Sequence, residues 1–326
     1  MRRGKALEYD RYGDAEELHF VPQSMPSPDP DEVVVEVVAA ALNHMDVYVR
    51  KGDFADEVPA AFPSRQGTCF AGIVRAKGAA VKEFAVGADV LGHDPSRSAH
   101  ASFVRLPATA LVRKPAAISW EVAGSLYLAG TTALSLVTSL RLGPEDLVLI
   151  TAAAGGVGHI ECQLAKLGGA SVIGVAGADN HDYLRSIGVI PVAHGDDLAA
   201  RIRTAAKDRR VTAVLDNYAG YEALAAELGV PAGRFVSSDR RRETELRFYL
   251  APGDDREART VLADIAELVA TWGIRVLISG FYAFDQLPEA LADLEARHSR
   301  GKVIVGMHTS APAETYLGRK LRSVHA

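Results

Sequence analysis

The segment 147–176 constrains the fold of this chain more strongly than any other stretch. An apolar run at 147–151 precedes a turn of small residues, and a helical pattern at 156–167 and a second apolar run at 171–175 follow. A strand, a tight turn, a helix and a strand of these lengths predict a β-α-β unit, in which the two strands lie parallel in one sheet. Strand and helix patterns then alternate as far as residue 237, which indicates a doubly wound α/β domain.

The turn has the composition of a phosphate-binding loop. Its residues are Ala153, Ala154, Gly155, Gly156, Val157 and Gly158. A dinucleotide fingerprint needs small residues where the chain turns, where the backbone approaches the pyrophosphate and where the helix packs on the strand. Ala153, Gly155 and Gly158 hold these positions, although Ala153 replaces the usual first glycine. We therefore predict that the unit binds a dinucleotide, with the pyrophosphate at the helix N-terminus.

The end of the second strand bears on the choice between NADPH and NADH. NAD sites usually place an Asp or Glu there for the ribose hydroxyls, about 20 residues past the glycines. This chain has Ala176, Gly177 and Ala178 instead. The lack of a carboxylate leaves room for a 2′-phosphate and favours NADPH over NADH, although Asp179 is a contrary sign.

The first third of the chain has a different pattern. A β-branched run predicts a strand at 32–41, and shorter strands are predicted at 71–76 and 101–104, separated by glycine and proline turns. After Pro115 the first predicted helices are 120–128 and 131–140. We predict a catalytic domain formed by 1–121 and 269–326, and a nucleotide-binding domain formed by 122–268.

Composition excludes several classes of function. Apolar residues make up 48% and charged residues 24%, which fits neither a disordered chain nor a membrane protein. The net charge of −5 provides no basic field for nucleic acid, and the run 240–242 is interpreted as a solvated surface. With two cysteines, no apolar N-terminal segment and no uninterrupted apolar stretch of 18 residues, we expect a cytoplasmic protein without disulfides or membrane-spanning helices.

Five collinear stretches carry a family resemblance. They are 43–52 (Asn-His-Met-Asp-Val-Tyr-Val-Arg-Lys-Gly), 67–74, 130–133, 152–158 and 301–305. Together they resemble the medium-chain dehydrogenase/reductase superfamily, and most closely its zinc-independent quinone oxidoreductase and enoyl reductase-like branch. The resemblance implies an N-terminal GroES-like, partly open β-barrel domain and a Rossmann domain with a doubly wound parallel sheet. It also implies a homodimer that acts on a small-molecule substrate.

The same resemblance implies that no metal is bound. Zinc-dependent members carry a Cys at the position of Asn43 and Gly-His-Glu where this chain has Gly67, Thr68 and Cys69. The four closely spaced cysteines of a structural zinc lobe are missing, and the ten histidines show no ligand-like pairing with either cysteine.

Cofactor contacts are implied residue by residue. The Lys and Tyr that approach the 2′-phosphate in quinone oxidoreductases correspond to His181 and His194. Protonated histidine donates more strongly to a phosphate, so NADPH affinity is expected to rise below about pH 6.5; alternatively, both histidines are simply exposed. Thr132 matches a position that orients the nicotinamide carboxamide, although a threonine is also common at a helix start. The remaining candidate cofactor contacts are Gly177, Asn217 and Ser237.

Two residues are the candidates for catalysis. A zinc-free reductase must stabilise the negative charge that develops on a conjugated oxygen as hydride arrives. The resemblance places Asn43 and Tyr48 facing the family's active site, where an amide N–H and a phenol O–H can donate to that oxygen. The alternative interpretation is structural, with Asn43 holding a turn and Tyr48 packing.

Candidate substrate contacts are Arg50, Phe54 and Phe248. Arg50 could equally pair with Asp46 or with an exposed carboxylate. Related enoyl reductases carry a Tyr proton donor at the position of Phe54, so that relay is not copied here. The loops at 52–63 and 248–255 are expected to select the acceptor.

Three hypotheses follow for the function. The first is an NADPH-dependent, zinc-independent reductase of a quinone or an α,β-unsaturated carbonyl, in which Tyr48, His44 or solvent supplies any proton. The second is a trans-acting enoyl reductase of a polyketide-type pathway. The third is a protein that binds NADPH without turnover.

Overall fold

The computed structural model describes residues 3–296 and 300–307. Contacts between residues divide the chain into two units. The described residues of unit 1 lie within Met1–Leu128, Arg247–Trp272 and Ile278–Ala326, and unit 2 comprises Ala129–Leu246 and Gly273–Leu277. By these contacts the segments 122–128 and 247–268 group with unit 1 and the segment 273–277 with unit 2, whereas the predicted nucleotide-binding domain is 122–268. The functional boundaries at 121/122 and 268/269 remain a prediction.

The described residues form strands and helices with the following bounds. The strands are β1 (Arg3–Tyr9), β2 (Leu18–Ser24), β3 (Glu32–Leu42), β4 (Ser64–Arg65), β5 (Cys69–Lys77), β6 (Asp89–His93), β7 (Phe103–Pro107), β8 (Leu111–Arg113), β9 (Leu147–Ile150), β10 (Ser171–Val175), β11 (Ile190–Val192), β12 (Ala213–Leu215), β13 (Phe235–Val236), β14 (Ile278–Ala283) and β15 (Lys302–Gly306). The helices are α1 (His44–Lys51), α2 (Trp120–Leu140), α3 (Gly158–Leu167), α4 (His181–Ser186), α5 (Leu198–Ala206), α6 (Glu222–Glu227), α7 (Ser238–Tyr249), α8 (Arg256–Thr271) and α9 (Leu287–Glu295).

Unit 1 is built on a mostly antiparallel sheet. Its strand order is β14-β15-β3-β5-β6-β8, with β7 paired to β3, and a smaller sheet has the order β2-β1-β4. The apolar residues of β3 are buried along almost the whole strand, in a core shared with α9. A strand buried on both faces reads as a continuous apolar run, which is the pattern that predicted it. These strands and turns form the GroES-like, β-rich fold.

Unit 2 is a five-stranded parallel sheet with the order β11-β10-β9-β12-β13. The chain runs outward from β9 through β10 to β11 and then returns to lay β12 on the other side of β9. The strand order therefore reverses between β9 and β12, and ligands of doubly wound folds bind at the carboxyl ends of the strands that flank such a switch point. This is the predicted Rossmann-type sheet.

Two helices differ from the sequence expectation. The helices predicted at 120–128 and 131–140 are one helix, α2, because a glycine inside a helix costs only about 1 kcal/mol and does not by itself end it. By length and composition α2 could cross a membrane, but 72% of its most apolar window is buried within the protein, as in a core helix. The charged stretch from Ser238 has no apolar periodicity, yet it forms α7, in which Arg241 pairs with Glu245 one turn later.

Candidate functional site

The phosphate turn of unit 2 begins where β9 ends. Ala152 takes a left-handed conformation with φ of 45°, and the amide of Gly155 donates to its carbonyl over 2.8 Å. Helix α3 starts at Gly158, two residues later than predicted. A Cβ on Gly158 would lie 2.5 Å from the carbonyl oxygen of Ala152, so only glycine fits where the helix leaves the turn. Gly158 thus provides the close helix–strand packing that the fingerprint requires.

Ala153, which replaces the usual first glycine, is accommodated by the neighbouring strand. It is fully buried, and its own Cβ lies 2.8 Å from the place where a Cβ on Gly174 of β10 would be. The methyl group of Ala153 therefore occupies space that is free because Gly174 has no side chain.

The turn presents backbone donors. Within the described residues, no backbone acceptor is found for the amides of Gly156, Val157 and Gly158. The N-terminus of α3 adds the positive end of a helix dipole. Unpaired amides at a helix N-terminus fit the pyrophosphate of a dinucleotide.

The end of β10 is open and bordered by hydrogen-bonding side chains. A Cβ on Gly177 would meet only Asn180 Nδ2 and His194 Nε2, each at 4.0 Å. His181 Nε2 donates to the carbonyl of Ala176 over 3.3 Å. His194 and Asp179 are exposed.

Two other predicted cofactor residues have contrasting environments. Thr132 is fully buried, and within the described residues its hydroxyl has no hydrogen-bond partner. Ser237 follows β13, and its carbonyl accepts a hydrogen bond from the amide of Arg241 over 3.0 Å. This bond belongs to the first turn of α7.

Asn217 follows β12 and is tied to the turn region through Thr151 and Glu161. Its backbone amide donates to Thr151 Oγ1 over 2.8 Å, and its side-chain amide donates to the Thr151 carbonyl over 3.2 Å. The same Nδ2 donates to Glu161 Oε2 over 2.5 Å. Burial raises the pKa of Glu161 to about 7. Glu161 was not among the predicted site residues, although an acid between the apolar residues Ile160 and Cys162 was a visible signal.

The polar cluster of unit 1 lies at the start of α1. Asn43 is the residue before the helix, and its backbone amide donates to Asp46 Oδ2 over 2.9 Å. Gly52 ends the helix in the left-handed conformation with φ of 88°, so the motif 43–52 is one capped helix. Asn43 is 5% exposed and Asp46 is fully buried.

Both ends of the Asn43 amide are engaged. Lys302 Nζ, from β15, donates to Asn43 Oδ1 over 2.6 Å and to the Leu42 carbonyl over 3.3 Å. Asn43 Nδ2 lies 3.4 Å from Asp46 Oδ2 and 3.4 Å from Cys69 Sγ. The contact from Nδ2 to Asp46 Oδ2 is long at 3.4 Å, whereas 3.4 Å is an ordinary distance for an N–H···S bond, so the N–H directed at Asp46 is the more weakly held of the two.

Two buried residues complete this cluster. Tyr249 donates its hydroxyl to Asp46 Oδ1 over 3.2 Å, and burial holds its pKa well above the ordinary value. Burial likewise raises the pKa of Cys69 to about 11, so Cys69 is a neutral thiol near pH 7. Within residues 3–296 and 300–307 there is no group of three His, Cys, Asp or Glu side chains placed to hold a metal ion.

Tyr48 is half-buried on α1, next to other rings. Its ring stacks near that of His44, with centroids 6.2 Å apart, and lies 6.4 Å from the ring of Phe54. Phe54 is also half-buried. These three side chains are therefore neighbours.

Two candidate substrate contacts have structural partners instead. Arg50 is fully buried; its Nη2 lies 3.1 Å from Glu295 Oε1 and its Nε donates to the Gly13 carbonyl over 3.2 Å. It does not pair with Asp46. Phe248 is buried in α7, not in a loop as expected, and packs edge-on against Tyr127 with centroids 6.3 Å apart. We leave both residues out of the proposed site.

Comparison with known proteins agrees with this arrangement. Residues 29–116 match the Alcohol dehydrogenase GroES-like domain, and residues 189–305 match the Zinc-binding dehydrogenase family. Quinone oxidoreductase 1 of Escherichia coli is 33% identical over 215 residues, which cover 65% of each chain. A chloroplastic quinone-oxidoreductase homologue of spinach is 35% identical over 193 residues, covering 56% of this chain and 58% of the relative. The alignments thus span 58% and 65% of these two relatives.

Solved structures are similar over almost the whole chain. The quinone oxidoreductase of Coxiella burnetii has a TM-score of 0.79 and 28% identity, covering 94% of this chain and all of that one. An Escherichia coli quinone oxidoreductase complexed with NADPH has a TM-score of 0.78 and 26% identity, with 93% and 99% covered. The CurK enoyl reductase has a TM-score of 0.78 and 25% identity, with 94% and 99% covered.

The fold, the two family matches and the similar structures agree with the five collinear motifs. The chain belongs to the medium-chain dehydrogenase/reductase superfamily, among its quinone oxidoreductase and enoyl reductase-like members.

Proposed function

We propose that this protein is an NADPH-dependent oxidoreductase that reduces a quinone or an α,β-unsaturated carbonyl compound without a metal ion. The observation that carries the proposal is the Asn43 amide, whose oxygen is held by Lys302 over 2.6 Å while one N–H of Nδ2 has only a long contact, 3.4 Å, to Asp46 Oδ2. The family membership and the free amides of the phosphate turn support a nicotinamide dinucleotide as hydride donor.

The preference for NADPH is supported by the end of β10. No carboxylate stands at the strand end itself, and the open space at Gly177 is bordered by Asn180 and His194. Arg201 adds a positive charge nearby, since its Nη2 donates to the carbonyl of Gly195 over 3.0 Å. Donors and positive charge suit a 2′-phosphate.

Lys302 gives Asn43 its catalytic orientation. The hydrogen bond from Lys302 to Oδ1 fixes the orientation of the Asn43 amide. It also draws electron density away from Nδ2, which strengthens Nδ2–H as a donor. Bound nicotinamide supplies hydride from C4. The developing negative charge on the acceptor oxygen is then stabilised by a neutral, preorganised N–H, which is the role of an oxyanion-hole donor.

Tyr48 is the proposed second donor. Tyr48 is half-buried, and its phenol O–H can donate to the same oxygen. The His44 ring stacks beside it. Phe54 beside it has no proton to give. A proton needed at carbon therefore comes from Tyr48, His44 or water.

The test is oxidation of NADPH by a panel of quinones, enones and enoyl thioesters. We expect turnover with at least one quinone or enone, and a drop in kcat/KM of about 100-fold in Tyr48→Phe with NADPH affinity unchanged. Tyr282→Phe, which removes a hydroxyl that donates to Asp293 outside the proposed site, serves as the matched control and keeps most of the activity. Unchanged turnover in Tyr48→Phe removes that residue from the mechanism.

The panel also separates the alternatives. Turnover confined to enoyl thioesters favours the enoyl reductase reading, to which the similarity to the CurK enoyl reductase gives weight. NADPH binding without oxidation by any acceptor indicates a binding protein without turnover.

We also propose a homodimer. Among the described strands, β11 and β13 form the edges of the unit 2 sheet; β13 has only two residues and Pro191 at the centre of β11 has no N–H, so the proposal rests on the family resemblance and not on a free strand edge. Light scattering after size exclusion measures the mass, and a single monomer peak at micromolar concentration overturns this expectation.

A further inference from the structure

Glu161 is a buried acid at the place where the phosphate turn enters α3. It lies in the first turn of the helix, three residues after Gly158, and the side chain is fully buried. Apolar residues Ile160 and Cys162 flank it and are equally buried. A buried carboxyl group is costly unless it is paired, so its retention at this place needs a reason.

Only one of its two oxygens has a partner. Oε2 accepts from Asn217 Nδ2 over 2.5 Å, whereas Oε1 has no hydrogen-bond partner within the described residues. Asn217 in turn is anchored to Thr151, at the end of β9. The acid therefore links α3 to the loop after β12, on both sides of the switch point where dinucleotides bind in this fold.

We infer that Glu161 is a positioning residue of the dinucleotide site: it holds the Asn217 amide in place, and its charge state sets how tightly the phosphate turn binds a pyrophosphate. This inference rests on the proposed function. When Glu161 is neutral, its carbonyl oxygen still accepts the hydrogen bond from Asn217, and the side chain adds no charge near the phosphate turn. In the ionised form it places a buried negative charge in the same helical turn that receives the phosphates, and like charges repel strongly in a buried environment.

The charged and titratable groups around Glu161 leave it largely uncompensated. Arg241 of α7 contributes positive charge that lowers the pKa of Glu161, but its guanidinium is engaged by Glu245, which acts on Glu161 with the opposite sign. On α3 itself, His159 is neutral, since Nδ1 donates to the Gly155 carbonyl over 2.7 Å and Nε2 accepts from the Leu277 amide over 3.1 Å. Asp216, at the end of β12, adds a second buried acid that already has its own donors.

Together these contributions bring the change in the charge of Glu161 into the physiological pH range. Burial raises the pKa of Glu161 to about 7, against smaller opposing effects of Asn217 and Arg241. Glu161 is thus neutral in acid and ionised above neutrality. Dinucleotide affinity is expected to fall as pH rises through about 7, because a bound pyrophosphate further favours the neutral acid.

The experiment measures the Kd of NADH by fluorescence titration between about pH 6 and about pH 8.5. NADH is used because it lacks the 2′-phosphate, whose own titration and contacts would otherwise contribute. For the wild-type protein we expect Kd to rise about tenfold across this range, equivalent to one pKa unit of coupling. Glu161→Gln, which keeps an oxygen acceptor for Asn217 without a charge, is expected to bind as the wild type does at pH 6 and to vary less than about twofold with pH.

Two further variants separate charge from positioning. Glu145→Gln removes an exposed acid of unit 2 and should keep the wild-type pH slope. Glu161→Ala removes the bond to Asn217 as well as the charge and should bind more weakly than Glu161→Gln at every pH. Equal affinity of these two Glu161 variants overturns the positioning role.

The remaining outcomes are distinguishable. The same pH slope in wild type and Glu161→Gln, or a flat wild-type profile, overturns the role of the charge while leaving the proposed function intact. If folded wild-type protein binds neither NADH nor NADPH at any pH, the proposed function fails and this inference with it. Calorimetry of the wild type in buffers of different ionisation enthalpy needs no variant: net proton uptake on NADH binding near pH 7 is expected, and its absence contradicts the inference.

Discussion

The two units bury polar groups in opposite ways. In unit 1, Asp46 and Lys302 are both bonded to Asn43, and Tyr249 gives Asp46 a further donor, so opposite charges and neutral donors are buried together. In unit 2, Glu161 is buried, and within the described residues its side chain has one hydrogen-bond partner, the amide of Asn217. A compensated cluster stays in one charge state and suits the precise orientation of a catalytic amide. An uncompensated acid changes its charge near neutral pH and suits the adjustment of affinity.

The largest effect is expected when the compensation in unit 1 is removed. Lys302→Met takes away the donor to Asn43 Oδ1 and the positive charge that balances Asp46, leaving a buried carboxylate behind. We expect the free energy of unfolding to fall by about 3–5 kcal/mol, together with a loss of turnover. Urea unfolding monitored by circular dichroism measures the change in the free energy of unfolding.

Lys51 provides the control for that variant. It lies on α1 and pairs with Asp14 at 2.9 Å, but it is one-third exposed. Lys51→Met should cost less than about 1 kcal/mol. If both lysine variants lose the same stability, the cluster of unit 1 is not compensated in the way described.

The opposite change is expected in unit 2. The pKa of Glu161 is raised from its ordinary value of 4.5 to about 7, so the folded state holds a proton that the unfolded chain has already lost. The stability that the neutral acid provides is present below about pH 4.5 and is lost as pH rises through about 7. Glu161→Gln should therefore raise the free energy of unfolding at about pH 8 by up to about 3 kcal/mol, and leave it nearly unchanged at about pH 5.

Urea unfolding at the two pH values checks this expectation. Glu145→Gln again provides the matched control, since its carboxylate is exposed and should give no pH-dependent gain. If Glu161→Gln is destabilised equally at both pH values, the carboxyl group stabilises the fold through its packing and hydrogen bond, and its charge does not lower the free energy of unfolding.

A smaller effect is expected from the turn itself. Gly158→Ala would bring a Cβ within 2.5 Å of the Ala152 carbonyl, so either the turn or α3 must shift. We expect a loss of about 1–3 kcal/mol in stability and weaker binding of both dinucleotides. At Gly143, also in unit 2, nothing lies within 4 Å of an added Cβ, and Gly143→Ala should change stability by less than about 0.5 kcal/mol.

The smallest effect concerns cofactor choice. His194→Ala should raise the Kd of NADPH about fivefold and leave that of NADH unchanged, because only the 2′-phosphate is proposed to meet its ring. His19→Ala, at an exposed histidine of unit 1, should change neither value. Equal weakening of NADPH and NADH by His194→Ala would place that histidine outside the 2′-phosphate site.

Sequence patterns were sufficient where the structure depends on neighbours along the chain. The β-branched run predicted a strand at 32–41, and β3 spans Glu32–Leu42. The helical pattern at 156–167 predicted α3, which ends at Leu167 as expected. Prediction failed at α7, because a helix held by charged side chains on its surface shows no apolar period to recognise.

Sequence alone thus determined the alternation of strands and helices as far as β13, the glycine turn and the family resemblance, since each depends on local periodicity or on contiguous motifs. The tertiary structure decided which side chains act together. Asn43 and Lys302 are 259 positions apart, and Asp46 and Tyr249 are 203 positions apart. Arg50, a predicted substrate contact, instead forms an ion pair with Glu295. Glu161 accepts a hydrogen bond from Asn217, 56 positions away, and this contact shows its link to the dinucleotide site. Such contacts follow from how strands cross over and pair, and the charge state of a buried group depends on all of its neighbours, which no local pattern encodes.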